Sequence, residues 1–284
     1  MASQGGPAPR RLILVLAALE DEVSALVRHA GLVRSPSPPT VRVYRDRQGG
    51  RRGGLPCDLV VALSGTGAAR AAATAEWAIS EFKPSACLAT GFAGGCRVDL
   101  VPGAVVLASE VVLVQWRGEE GATTKDPALL LPDAALFAAA RRAASSAGLR
   151  PAEGRLVTVP AAAATARQKF RLADKFGAAA ADMESYHYGA VAARSPVPFV
   201  AARAVVDTAP TDLPEFVTQL GDGPAPTRLG LALRHLARSP AGLPALVRLG
   251  RAAVRARDSI SRFVPAFAAE VVQADTFGVA GGPG

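Results

Sequence analysis

Short apolar runs that end in glycine-rich turns and hand over to helices recur along this chain, and no other feature restricts its fold as much. Residues 12–18 (Leu-Ile-Leu-Val-Leu-Ala-Ala) are apolar throughout, as a strand covered on both faces of a parallel sheet must be. Residues 59–63 form a second such run, end at Ser64-Gly65-Thr66-Gly67 and lead into an Ala-rich helical stretch over 68–82. Residues 86–90 form a third, ending at Gly91-Phe92-Ala93-Gly94-Gly95. Further strands are predicted over 105–114, around 156–159, over 178–181 and over 199–206. Helices are predicted from Glu22 to His29, over 134–147 and over 185–193. The alternation predicts an α/β fold, a three-layer αβα sandwich with a central mixed sheet and a C-terminal helical extension.

Half of the 284 residues are hydrophobic but only 5% are aromatic, so the core has to be built from Ala, Val and Leu. The expected organisation is a flexible tail over 1–10, one αβα domain over 11–226, an Arg-rich helical extension over 227–265 and a flexible tail over 266–284. Three cysteines without a Cys-x-x-Cys spacing argue against a disulfide framework or a zinc site and favour a reducing cytoplasm. His29, His187 and His235 are too scattered for a metal centre. No apolar run approaches the length that spans a bilayer.

The net charge of +8 suits an anionic substrate, nucleic acid or an anionic membrane surface, and composition does not choose among them. Position narrows the choice. Residues 228–264 hold eight Arg and one acidic residue, Asp258. At 100° per residue Arg248, Arg251, Arg255 and Arg262 share one side, opposite Leu246, Leu249, Ala253, Ile260 and Phe263. Such a helix suits peripheral contact with anionic lipid. The plain alternative packs its apolar face on the core. Aromatics are not interleaved with most of these arginines, and no recognition motif is present, which argues against nucleic acid.

Ligands of αβα domains bind at the carboxyl ends of the strands. Ser64, Gly91, Glu22 and Asp207 all fall just after predicted strands. Two carboxylates stand out. Glu184, in Asp182-Met183-Glu184-Ser185, could accept hydrogen bonds from a vicinal diol. Asp207, ending Arg203-Ala204-Val205-Val206-Asp207, could hold a proton for a leaving group if burial raises its pKa. Helix-terminal or capping roles are the plain alternatives for both.

Four segments occur together and in order: Ala17-Ala18-Leu19-Glu20-Asp21-Glu22-Val23, Thr90-Gly91-Phe92-Ala93-Gly94-Gly95, Asp182-Met183-Glu184-Ser185 and Arg203-Ala204-Val205-Val206-Asp207. Over residues 12–210 the chain resembles the nucleoside phosphorylase and nucleosidase superfamily, and its opening segment is closest to the methylthioadenosine/S-adenosylhomocysteine nucleosidase branch. The Asp182 to Ser185 form and the Arg-rich terminal helices also resemble the hopanoid-associated phosphorylase-like branch.

The resemblance implies cleavage of an N-glycosidic bond with release of adenine. The expected substrate is adenosylhopane, a lipid-linked adenosyl compound; methylthioadenosine, S-adenosylhomocysteine or futalosine is the alternative. Asp207 would be the general acid and Glu22 would orient the attacking water. Glu184 and Met183 would hold the ribose. Ser64 and Gly65 would sit near the nucleophile, and Gly91, Phe92 and Ala93 would line the ribose and base pocket, with Phe92 a stacking surface. Arg203 would support Asp207, bind phosphate or serve the fold. No cofactor or metal is implied, phosphate as co-substrate stays open, and a homo-oligomer is expected. A non-catalytic nucleoside- or lipid-binding protein at a membrane surface is the rival of a different class.

Two departures bear on substrate choice. The branch carries a Gly-Asp-Ala-Phe type segment whose Phe stacks on adenine, where this chain has Val159-Pro160-Ala161-Ala162-Ala163. The polar residue usual before the acid is Val206.

Overall fold

The structure, a computed structural model, describes residues 11–46, 57–117, 121–122, 127–213 and 243–278. Among these residues there are twelve strands: β1 (Leu12–Ala17), β2 (Val33–Ser35), β3 (Arg42–Arg45), β4 (Asp58–Leu63), β5 (Ala86–Gly95), β6 (Val105–Leu113), β7 (Trp116–Arg117), β8 (Gly121–Ala122), β9 (Ala128–Leu130), β10 (Ala152–Thr158), β11 (Ala178–Asp182) and β12 (Phe199–Asp207). The helices among the described residues are α1 (Glu20–His29), α2 (Ala68–Phe82), α3 (Ala134–Ser146), α4 (Ala166–Phe176), α5 (Ser185–Arg194) and α6 (Leu243–Gly278).

A mixed sheet in the order β11-β10-β6-β12-β5-β1-β4-β3-β2 forms the middle layer. Alternate residues of each buried strand feed opposite faces. Ile13, Val15 and Ala17 of β1 pack with α1, α3 and α6. Leu14 and Leu16 pack with α2 and α5 on the other side. The expected three layers are therefore present.

The sheet also curls on itself. β11 pairs in parallel with β10 and, through Ala180↔Gly95 and Ala181↔Gly94, antiparallel with β5. Strands β5, β12, β6, β10 and β11 thus close a ring. Only alanine and glycine meet at the seam, and a Cβ at Gly95 would lie 3.2 Å from Val205 Cγ1. The glycines of the third apolar run do not form the predicted turn. They continue β5 to Gly95, and this extension makes the closure.

Further elements differ from expectation. Helix α4 was not foreseen, although Thr165 and Gln168 form a capping box at its start and Gly177, in a left-handed conformation, ends it. The short strands β2, β3 and β9 extend the sheet where no strand was predicted. The tail expected from residue 266 is helical: α6 continues past Pro265 to Gly278 and buries Phe267, Ala268 and Val271.

The apolar face of α6 lies on α1, α3 and β12, and each fully buried aromatic or aliphatic side chain there contributes about 1.5–3 kcal/mol. Arg248, Arg251, Arg255 and Arg262 stay exposed. The buried face is thus not free to enter a lipid surface. Residues 1–10 and 214–242, with Pro240 and the first part of the Arg-rich stretch, lie outside the described residues. Among the described residues no helix is long and apolar enough to cross a membrane.

Candidate active site

Glu22 sits in the first turn of α1 and turns back on its own helix start. Its Oε2 accepts the amides of Ala18 (2.9 Å) and Leu19 (2.8 Å), and Oε1 accepts the amide of Phe92 (2.9 Å). Glu20 and Asp21 point to solvent, as helical spacing requires; Glu20 accepts from Tyr44 and Arg42. Burial raises the pKa of Glu22, while Arg203 and the three amides oppose the rise.

Gly91 explains how β5 reaches this carboxylate. Its φ is +134°, and a Cβ there would lie 2.5 Å from Arg203 Nη1 and 2.7 Å from Glu22 Oε1. Only glycine fits both the dihedral and the space.

Arg203 is wholly buried on β12 and pairs with Asp182 (2.7 Å). It also donates to Ser185 Oγ (2.9 Å) and the Thr90 carbonyl (2.8 Å). Of the three roles set out for it, support of Asp207 and phosphate binding are not what the geometry shows. Its cation lies under Glu22, Asp182 and Glu184, and their charges outweigh the burial that works against its own ionisation.

Glu184 takes the N-cap position of α5 without capping it; its buried side chain instead accepts the amide of Gly67 at Oε1 (3.0 Å). Ser64 and Gly65 were expected near the nucleophile; the Gly65 amide donates to the Ala18 carbonyl (2.9 Å), and the Gly67 amide holds Glu184. Ser64 is buried too, its Oγ in contact with Tyr188 Oη (2.5 Å) and the Gly65 carbonyl (2.6 Å). Burial pushes the Glu184 carboxyl up to about 7; Arg203 opposes this and the charges of Asp182 and Glu22 add to it. Met183, beside it, is half-buried.

Asp207 ends β12 opposite Gly94 of β5, whose Cβ position is 3.4 Å from both carboxyl oxygens. Burial raises its pKa, and Lys169 counteracts the rise. Arg203 pairs with Gly91 and Asp207 with Gly94 in the β12–β5 register. Three strand residues, about 10 Å at ~3.3 Å each, therefore separate the Glu22 end of the site from the Asp207 end. A cavity of about 220 Å³ opens between Val206, Asp207, Thr208 and Thr211 on one side and Arg248 and Leu249 of α6 on the other.

Phe92 and Ala93 belong to β5 itself. Phe92 packs partly against the cluster under α1 and α6, and Ala93 faces the opposite cluster. It is the Phe92 amide that meets Glu22. Four residues of the site were not foreseen: Lys169, Asp182, Thr158 and Tyr188. Thr158 Oγ1 donates to Asp182 Oδ1 (2.7 Å) and accepts from the Tyr186 amide (3.0 Å). Asp182 was legible as a neighbour of Glu184 but had no assigned partner until Arg203 was placed.

Buried carboxylates gathered at the carboxyl ends of strands in one sheet mark where an α/β enzyme places its site. The sequence model of the Phosphorylase superfamily matches residues 12–223, and the chain belongs to that family. The 5′-methylthioadenosine/S-adenosylhomocysteine nucleosidase of Shewanella pealeana is 32% identical over 218 residues, 73% of this chain and 92% of that protein. That of Chromohalobacter salexigens is 35% identical over 166 residues, covering 54% and 68%.

Among solved structures, the Neisseria meningitidis 5′-methylthioadenosine/S-adenosylhomocysteine nucleosidase in complex with methylthio-immucillin-A superposes with a TM-score of 0.64 at 21% identity. It covers 90% of this chain and 99% of its own. Futalosine hydrolase of Helicobacter pylori gives 0.59 at 19%, covering 70% and 89%. Cleavage of an N-glycosidic bond is the reaction class of this enzyme.

Proposed function

We propose that the chain hydrolyses the N-glycosidic bond of a small adenosyl compound and releases adenine. The observation that carries this reading is the pair of buried carboxylates, Glu22 and Asp207, at the two ends of one β5 segment. Asp207 gives its proton to a ring nitrogen of the base as the bond to the anomeric carbon breaks and its electron pair leaves with adenine. Water forms the new bond to that carbon and passes its proton to Glu22. Glu184 accepts hydrogen bonds from the ribose hydroxyls, with Met183 against the sugar.

The curated relatives favour methylthioadenosine or S-adenosylhomocysteine over adenosylhopane. One observation supports the lipid-linked reading as a second: the cavity at Asp207 is walled by α6, whose exposed arginines suit an anionic surface. Water is favoured over phosphate as nucleophile, because Arg203 and the Ser64 hydroxyl are already engaged within the protein. Exposed Val98 (75%) and Val101 (62%) support the expected homo-oligomer.

The test compares adenine release from methylthioadenosine and adenosylhopane, each with and without phosphate. Faster release from methylthioadenosine without phosphate is expected. A preference for adenosylhopane favours the second reading, dependence on phosphate makes the enzyme a phosphorylase, and no adenine from either overturns the adenosyl assignment.

A pH dependence also follows. Glu184 accepts hydrogen bonds from two hydroxyls best when ionised, and burial pushes its carboxyl up to about 7. KM is expected to fall as pH rises through that value. Glu184→Gln should remove the dependence and raise KM at high pH, checked by initial rates on ribose and 2′-deoxyribose substrates.

A further inference from the structure

Lys169 is the one fully buried lysine among the described residues, and nothing in the reaction outlined above uses it. It projects from α4 along the same stripe as Leu172 and Phe176, into the protein interior. Its Nζ forms an ion pair with Asp207 Oδ2 and donates to the carbonyls of Thr208 (3.0 Å) and Thr211 (2.6 Å). All three directions of the ammonium are thus satisfied. Two further hydrogen bonds join the same pieces of chain: the Ala166 amide donates to the Asp212 side chain at Oδ1 (2.6 Å), and the Leu213 amide to the Ala164 carbonyl (2.7 Å).

A buried cation is costly unless something requires it. Two carbonyls could be served by a neutral donor, so anchoring the turn does not account for a charge. The carboxyl group does. The surroundings of Asp207 hold few other ionisable groups. Lys169 faces it from α4 and Cys96 from the end of β5, while Asp212 of the following turn and Arg248 of α6 share its cavity. Burial pushes the Cys96 thiol up to about 12, which leaves it neutral.

We infer that Lys169 is the positioning residue of the acid: it fixes Asp207 Oδ2, leaves Oδ1 to carry the proton, and stabilises the carboxylate that remains once the proton has gone to the base. The inference rests on the reading of Asp207 as general acid. In each turnover the proton leaves Asp207 for the base nitrogen, the ion pair with Lys169 is then complete, and solvent restores the proton before the next cycle. Without the ammonium the carboxyl would hold its proton more tightly and transfer it less readily.

The test uses Lys169→Met, which keeps the length of the side chain, and Lys169→Gln, which keeps a donor for the two carbonyls but no charge. Substrates are methylthioadenosine and a 4-nitrophenyl riboside with the same 5′ group, whose phenolate leaves without protonation. Both variants should lose about 10- to 100-fold in kcat on methylthioadenosine and stay within about threefold on the nitrophenyl riboside. The alkaline limb of the pH profile should move up by about one pH unit or more, because an opposite charge at this range lowers a carboxyl by roughly that much.

Equal losses on both substrates, an unmoved limb, or recovery with Gln would show that Lys169 only anchors the turn, and would overturn the inference. Asp207→Asn separates this from failure of the underlying reading. An inactive Asn variant beside an unaffected Lys169→Met removes the lysine role alone, whereas an active Asn variant removes both.

Discussion

Asp207→Asn is expected to lower kcat for adenine release by about 10²- to 10⁴-fold, the range that general acid catalysis contributes. Asparagine has nearly the same shape and can sit beside Gly94 as the carboxyl does, so KM should change little. The amide carries no transferable proton. Where kcat falls and KM is held, the loss belongs to the transition state rather than to binding. Burial sets the direction of the pH dependence as well. The carboxyl is raised above its ordinary value, so the proton-bearing form prevails at low pH and is lost as pH rises through the shifted value. Wild-type kcat should therefore fall on the alkaline side, and that limb should be absent from the residual activity of the variant. Near-normal turnover by Asp207→Asn, measured as adenine release under saturating substrate, would refute the acid role.

Arg203→Met should cost about 3–5 kcal/mol of stability, as removal of one partner of a buried ion pair does. The reason is local. Asp182 loses its ion pair, Ser185 Oγ and the Thr90 carbonyl lose their donors, and Glu22 and Glu184 lose the cation that offsets their burial. Both of those carboxyls should take up protons at higher pH than in the wild type. The destabilisation is therefore expected to grow as pH rises, since more of the uncompensated groups must then ionise inside the protein. Arg203→Lys should recover only part of the loss, because a single ammonium cannot meet Asp182, Ser185 and Thr90 at once. Urea unfolding of the three proteins at acid and neutral pH measures this. A loss that does not change with pH would mean that the side chain matters for packing alone.

Several parts of this molecule could be read from residue order. Strands such as β1 and β4 declare themselves because a strand covered on both faces must be apolar at every position, and the pattern survives without knowledge of its neighbours. Helix α4 was legible in principle from Thr165 and Gln168, yet its apolar stripe is interrupted by Lys169, a residue that argues for solvent unless its buried partners are known. The helical extension was expected to end at residue 265, a proline that removes a backbone donor. Phe263 and Phe267 stack across it at 5.9 Å between ring centres, and their burial carries the helix onward.

The site divides in the same way. Glu22, Glu184 and Asp207 could be picked out by residue type and by the segments that contain them, since their chemistry is a local property. Their partners could not. Arg203 was compatible with three roles, and the pairing with Asp182 depends on how β11 and β12 are brought together when the sheet closes on itself. Lys169 lies 38 positions before the acid it faces.

Residue order by itself determined the layered fold, the family and the carboxylates able to do the chemistry. These follow from hydrophobic period and from groups whose reactivity is their own. Only the tertiary structure decided which cation serves which carboxylate, that the glycines of β5 close a ring rather than make a turn, and that the arginine helix buries its apolar face. Each of these depends on contacts between distant segments, and a buried charge has no meaning in the chain until its partner arrives.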